Sequence, residues 1–275
     1  MPKISAKAVG DSISPKGVRV TTLELGFPRF ILPEYNTHRD FSRNSASSRA
    51  VPIKKQIEQV LNDPALPIIY GTNMAGMQSR DPLPEELAEA CKGSILDLRL
   101  EAISKVEELS QLGLHKQWTN RYLEPWLWHT VVCTATRWEN FFHQRLHEDA
   151  QPEIKELAAC MYHVLEDSQP VEIDYDDWHL PYLVQSDSIY DLEDRMKISA
   201  ARCAGVSYLN QGKVDAVKDL ARFEKLMGGE VKHWSPLEHV ATPFYSWLPW
   251  RKPLGNFDGW SQYRHNLNSK KEKLR

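Results

Sequence analysis

The chain has little cysteine, little net charge and no long apolar run. Four cysteines, Cys91, Cys133, Cys160 and Cys203, lie far apart among 275 residues and form no CxxC pair. That pattern suits reduced thiols, and each sits in or beside an apolar or helical stretch where a buried thiol is expected. Lys and Arg total 34 against 37 Asp and Glu, a formal charge of −3. Such a balance argues against coating a nucleic-acid polymer and leaves room for a local basic pocket. No run approaches the roughly 18 apolar residues of a membrane span. The opening MPKISAKAVGDSISPKG lacks the apolar core of a secretory signal. A soluble, cytoplasmic protein with no membrane partner is expected. Metal-ligand patterns are scarce too. His143 and His147 would share a helix face, but Gln144 stands where HExxH needs glutamate, so a polar helix face is preferred and no metal is assigned.

What is present suffices for a real core: 41% hydrophobic residues, with 9 Trp, 10 Tyr and 8 Phe. Alternation at 3–9 and 18–25, with GDSISPKG between, predicts a hairpin. Residues 61–85 hold four prolines and two glycines and read as a surface excursion. Helical spacing follows from about Pro84 to Leu112, through Leu96, Leu100, Ile103, Val106 and Leu109. A second helical stretch is predicted over 134–166, with Ile154, Leu157, Ala158, Met161 and Leu165 on one face. Residues 168–195 are acidic and read as loop. A third helix is predicted near 214–228, carrying Val214, Val217, Leu220, Ala221 and Leu226. Trp126 and Trp128 read as core or interface. No linker divides the chain, which predicts one α+β domain.

The most informative stretch is His38-Arg39-Asp40-Phe41-Ser42-Arg43-Asn44-Ser45-Ala46-Ser47-Ser48-Arg49, with three arginines and four serines in twelve positions. Arginine presents a fixed fork of donors suited to phosphate, and serine hydroxyls and loop amides complete a cradle. Each charge-assisted hydrogen bond is worth about 1.5–3 kcal/mol, so a few hold a nucleotide phosphate. An exposed, serine-rich basic loop is the plain alternative on composition alone.

The order of these residues resembles the signature of the flavin-dependent thymidylate synthases (ThyX), R-H-R-x-x-S-x-N-x-x-S-x-R-Y. His38, Arg39, Ser42, Asn44, Ser47 and Arg49 occupy six of its eight named positions, while Thr37 replaces the first arginine and Ala50 the tyrosine. Phe27-Pro28-Arg29-Phe30 resembles the family's lead-in. Asn140, Arg145 and Ala150-Gln151-x-Glu153-Ile154 are similar to N-x4-R-x4-A-Q-x-E-I, and Arg121 with Pro125 to R-x3-P. Ala201-Arg202-x3-Val206-Ser207-Tyr208 is similar to A-R-x-S-[FY] with an insertion, and His233-Trp234-Ser235-Pro236-Leu237-Glu238-His239 to H-x-[ST]-P-x-E-H. The last two precede the signature in the family but follow it here, which implies circular permutation. A signature and helical part would span 1–167 and the family's N-terminal part about 196–265, in one domain of mixed helices and antiparallel sheet. Permutation requires residues near 1–20 and 240–260 to be neighbours. Residues 256–265, NFDGWSQYRH, resemble a degenerate second copy of the approach to the signature, which would bring Gln262 and Arg264 near the gap at Thr37.

The resemblance implies reductive methylation of dUMP to dTMP, using methylenetetrahydrofolate, NADPH and FAD. It assigns Arg145 to the pyrimidine as the catalytic group, with Glu34 where the family has a pyrimidine-side glutamine. Ser47, Ser48, Arg49 and Arg121 would hold the phosphate. His38, Arg39, Asn44, Asn140, Ser207, His233 and Ser235 would contact flavin. No cysteine nucleophile is required, and a homotetramer with shared sites is implied. Three alternatives stand beside this. Asn140 and Arg145 fit ordinary polar helix positions, and Ser235-Pro236 fits a helix start. Thr37, Glu34 and Ala50 suit C5 modification, methyl or hydroxymethyl, of another pyrimidine nucleotide such as dCMP. A silent nucleotide- or RNA-binding protein would keep only the cradle.

Overall fold

A computed structural model describes residues 4–79, 81–206, 214–246, 253 and 255–272. The alternating segments form β1 (Ser5–Ile13) and β2 (Arg19–Pro28), paired antiparallel. The turn is shorter than GDSISPKG suggests. Ser14 N donates to Val18 O at 3.0 Å and Gly17 takes φ 75°, while Gly10–Ile13 belongs to the strand. Gly10 serves close approach: a β-carbon there would lie 2.9 Å from His179 Cε1. With β3 (Ser42–Ser45), β4 (Trp128–Ala135) and β5 (Val171–Glu172), the sheet order is β3-β4-β2-β1-β5, antiparallel throughout except for β1 with β5.

One face of this sheet presents Leu23, Leu25, Phe27, Val131, Cys133 and Ala135 to a core with Tyr35, Phe41 and Phe141. Of the helices between, α1 (Leu32–Tyr35), α2 (Ile53–Asn62), α3 (Glu85–Gln111) and α4 (Lys116–Thr119) precede β4. The stretch predicted as one helix over 134–166 is instead the end of β4, then α5 (Glu139–Arg145) and α6 (Pro152–Asp167). Pro152 is the reason: it lacks an N–H to continue a helix but suits a first turn. The five apolar residues assigned to one face of α6 are all buried. Ending α5 at Arg145 also separates His143 from His147, so the two share no helix. Along α3 only Ile103 and Val106 are buried, against Leu123 and Trp126; Leu100 is 48% exposed. Trp126 is core, as expected. Cys91 on α3 is exposed, contrary to expectation, whereas Cys133 and Cys203 are buried, and burial pushes the Cys133 thiol up to about 12.

The opposite face is covered by α7 (Leu192–Gly205), whose start lies in the segment read as loop. Ile198 through Gly205 are all buried, so no polar stripe announces the helix. Beside it, α8 (Ala216–Gly228) buries Asp219 and Phe223, while Val214 and Val217 are 53% and 71% exposed. The expected face is rotated because Asp219 answers a buried charge. Arg202 Nε donates to Asp219 at 2.8 Å, and its other nitrogens meet Asp187 at 2.5 and 2.9 Å. Arg222 completes the set on Asp219 at 2.6 Å. Replacing Arg202 with methionine leaves the buried Asp187 carboxylate without a cation and Asp219 with Arg222 alone, at a cost of about 3–5 kcal/mol. Thermal unfolding should fall by on the order of 10 °C. An unchanged midpoint would contradict this role.

Strands β6 (Ala241–Pro243) and β7 (Trp260–Gln262) pair with each other and are followed by α9 (Tyr263–Glu272). Trp260 Nε1 donates to Val18 O at 3.2 Å, and Val20, Ala241, Phe257 and Trp260 share a core. The two regions that a permuted order must join are therefore adjacent. Among the described residues no helix is long and apolar enough to cross a membrane.

Candidate active site

The twelve-residue segment folds as a loop leading into β3, anchored by rings. Tyr35 is fully buried against Phe27, Phe41 and Phe141, and His38 lies edge-on to Phe141 at 4.8 Å. Arg43 Nη1 donates to His38 O at 3.1 Å and Tyr35 O at 3.4 Å, so this arginine holds the loop rather than a ligand.

Arg145, in the last turn of α5, reaches back over 107 residues to the loop: its Nε donates to His38 Nε2 at 2.9 Å. Its Nη2 meets Thr37 Oγ1 at 3.2 Å and Glu34 O at 3.4 Å. Burial, helped by the charges of Arg145 and Arg43, lowers His38 to about 4. The ring is therefore neutral at pH 7. Because guanidinium only donates, His38 Nε2 accepts and Nδ1 carries the proton. Glu34 Oε2 is buried without a partner. Three residues assigned to the site, Glu34, His38 and Arg145, are thus brought together, with Thr37 bonded to the same arginine.

Gln262 and Arg264 do not reach Thr37. Gln262 Nε2 donates to Ser42 Oγ and Glu238 O, both at 2.9 Å, and Arg264 pairs with Glu238. Asn256 Nδ2 donates to Asp40 O at 3.0 Å. The C-terminal segment therefore buttresses the signature from behind. A polar amide sits at 262 because Ser42 faces that side of β3.

Among the residues expected to hold phosphate, Ser48 Oγ donates to Glu124 at 2.7 Å, which turns Ser48 inward; Glu124 also binds Arg29 and Arg121 at 3.1 and 3.4 Å. Ser47 lines a pocket, while Arg49 and Arg121 are exposed. Among the flavin candidates, Asn44 is buried on β3, and the 3-10 turn Ser235–Glu238 packs against that strand. Ser235-Pro236 starts only this turn, with no side-chain cap. Arg39, Asn140, His233 and Ser235 are exposed, and Ser207 lies outside the described residues. Glu153, from the A-Q-x-E-I match, is buried and accepts from Ile68 N at 2.8 Å, pinning the proline-rich excursion.

Two groupings had no sequence signal, because their members are scattered along the chain. Arg29, Lys55, Gln56 and His129 line the same pocket as Ser47. A buried chain runs Ser12–His179–Thr22–Thr134–His239, with links of 2.9, 2.8, 2.7 and 2.7 Å.

Residues 14–171, more than half of the chain, match the family model Thy1, described as thymidylate synthase complementing protein. Two crystal structures of a UMP/dUMP methylase PolB from Streptomyces cacaoi have a similar fold. The one bound with 5-Br UMP has a TM-score of 0.50 and 14% identity, covering 60% of this chain and 89% of that one. The one bound with 5-Br dUMP has a TM-score of 0.50 and 15% identity, covering 60% and 90%. No curated protein matches significantly.

Proposed function

Because the chain belongs to the Thy1 family, the thymidylate synthase complementing proteins, we propose that it methylates dUMP to dTMP reductively, with methylenetetrahydrofolate and NADPH as co-substrates and FAD as cofactor. Membership makes it a thymidylate synthase-like enzyme. The finer reading is carried by one observation: Arg145 is fixed on the signature loop by His38, Thr37 and Glu34.

Uracil C5 is a poor nucleophile, so the site must stabilise negative charge on the ring oxygens as C5 reacts. Arg145 offers donors whose orientation is set before substrate arrives, and preorganised donors of this kind supply large transition-state terms. Neutral His38 holds the guanidinium without repelling it. Ser47, Arg49 and Arg121 would take the phosphate. His38, Arg39, Asn44, Asn140, Ser207, His233 and Ser235 would surround the flavin. Arg39 makes no ion pair among the described residues and His233 and Ser235 are exposed, a donor set that fits the phosphates of a dinucleotide. Flavin and folate together supply the reducing equivalents and the one-carbon unit. With these donors spread over open surface, a second subunit would be needed to enclose a flavin, which supports a tetramer with shared sites.

Permutation belongs to the same reading: 1–167 would carry the signature and 196–265 the displaced N-terminal part, all within one domain. The contact of Ala241, Phe257 and Trp260 with Val18 and Val20 supports it. So does a linear family match that ends at residue 171.

A second reading is favoured by Glu34. Its unpartnered buried oxygen is an acceptor, suited to the amino group of a cytosine nucleotide. Tritium release from C5-labelled dUMP and dCMP, with product masses, separates the two. Release from dUMP and a yellow purified protein are expected. A protein that stays colourless with added FAD and releases no tritium would be a silent nucleotide- or RNA-binding relative.

A further inference from the structure

Where α5 begins beside the end of α6, Arg19, Trp138, Glu139, Phe142, Tyr162 and Glu166 line a cavity of about 300 Å³. That volume reaches the lower bound, roughly 300 Å³, of sites that take small ligands, far above the about 10–15 Å³ a water needs. Its walls are aromatic. Trp138 and Phe142, one helical turn apart, stack with ring centroids 6.5 Å apart and planes 23° from parallel. Tyr162, on α6, meets Phe142 edge-on at 5.3 Å and keeps 41% of its surface exposed.

The charge of the lining is negative. Arg19 is committed to Asp11, its Nε and Nη2 donating to the carboxylate at 2.9 and 2.7 Å, and Nη2 also donates to the carbonyls of Leu165 and Ser168 at 2.9 and 3.1 Å. Because Arg19 and Asp11 cancel, the two glutamates set the sign. Glu139 accepts from Trp138 N at 3.0 Å through one oxygen. Glu166 lies one turn beyond Tyr162 on the same helix face, and it acts on Arg19 only through space. Both carboxylates are exposed, and neither forms an ion pair among the described residues. Such a lining repels an anion. It also suits a metal ion poorly: among the described residues no three His, Cys, Asp or Glu side chains converge. Electron-rich ring faces with carboxylates at their rim attract an organic cation, through the quadrupole of the rings and the charge of the rim.

We propose that this corner binds an organic cation, with an alkylammonium head seated against Trp138, Phe142 and Tyr162 and its charge answered by Glu139 and Glu166. The site goes beyond the methylation reading and does not depend on it. Calorimetric titration of the purified protein uses choline, its neutral carbon isostere dimethylbutanol, and acetyl-lysine methylamide. Choline should bind, and dimethylbutanol should bind at least about tenfold more weakly, since it has the shape without the charge. The double variant Glu139→Gln/Glu166→Gln should lose about tenfold in choline affinity, the worth of two surface charge pairs. Tyr162→Leu should lose about two- to fivefold, the worth of one part-exposed cation–π contact. Whatever tritium release from dUMP the wild type shows should persist in both variants, so a failure of one reading is distinguishable from a failure of the other. Tighter binding of acetyl-lysine methylamide than of choline supports the site and names a protein side chain as the source of the cation. The reverse order supports it and names a free alkylammonium compound. Equal binding of choline and dimethylbutanol, unaltered choline affinity in either variant, or no binding of any cation overturns the site.

Discussion

On the proposed reading, replacing Arg145 with alanine should lower tritium release from C5-labelled dUMP by at least about a hundredfold, the loss typical of one preorganised donor to developing charge. The magnitude follows from position. No other arginine among the described residues is bonded to both His38 and Thr37. Arg145 is only half-buried and closes a short helix, so its removal leaves the core of Tyr35, Phe41 and Phe141 in place. Lysine keeps a charge but loses the fork, and should recover only part of the rate. A spectroscopic consequence is independent of turnover. The guanidinium is one cause of the lowered His38 value of about 4, second to burial. In Arg145→Ala that value should rise towards 6.5 while burial still holds it below, as ¹⁵N titration of the imidazole would show. An active variant, or a His38 titration that does not move, contradicts the assignment.

The second large effect is acid sensitivity. His129, His179 and His239 are 2%, 0% and 0% exposed. Burial lowers them to about 3, 4 and 3 respectively, assisted by Arg29 at His129 and by His179 at His239. In the unfolded chain each titrates near 6.5, so on acidification the unfolded state binds the proton first. Their contribution is complete above pH 6.5 and is lost progressively as pH falls towards 4 and 3. By pH 5 each withdraws about 2 kcal/mol. His179 and His239 belong to one hydrogen-bonded chain, so the sum is not additive. A combined loss of roughly 5 kcal/mol is comparable with the whole stability of many domains. Urea midpoints measured from pH 7.5 to 5 should therefore fall steeply. A flat profile would mean that the three rings are not buried neutral.

Legibility followed the range of the interaction. The α6 face could be read because its spacing of three and four is a local property, as could the long α3. The break at Pro152 was visible as a residue but hidden by the apolar period on either side. By contrast, α7 was missed because a helix buried nearly all round has no polar stripe. The α8 face was misplaced because a carboxylate, Asp219, occupies the buried position, and its partner Arg202 lies on another helix. Within the site, the signature was legible as an ordered string, but its internal division of labour was not. Arg43 and Ser48 look like ligand donors in sequence, yet one closes the loop and the other is committed to Glu124.

By itself the sequence determined an α+β fold class and a family signature in an unusual order. These are properties of residue type and short spacing. Only the tertiary structure decided which charges meet. It joined Arg145 to His38, set Gln262 behind Ser42 instead of beside Thr37, and gathered Arg29, Lys55 and His129 around one pocket. The physical reason is that partner and burial set a polar group's role, and both depend on contacts between residues far apart in the chain. A mildly acidic chain can thus carry a compact cationic site that no count of charges reveals.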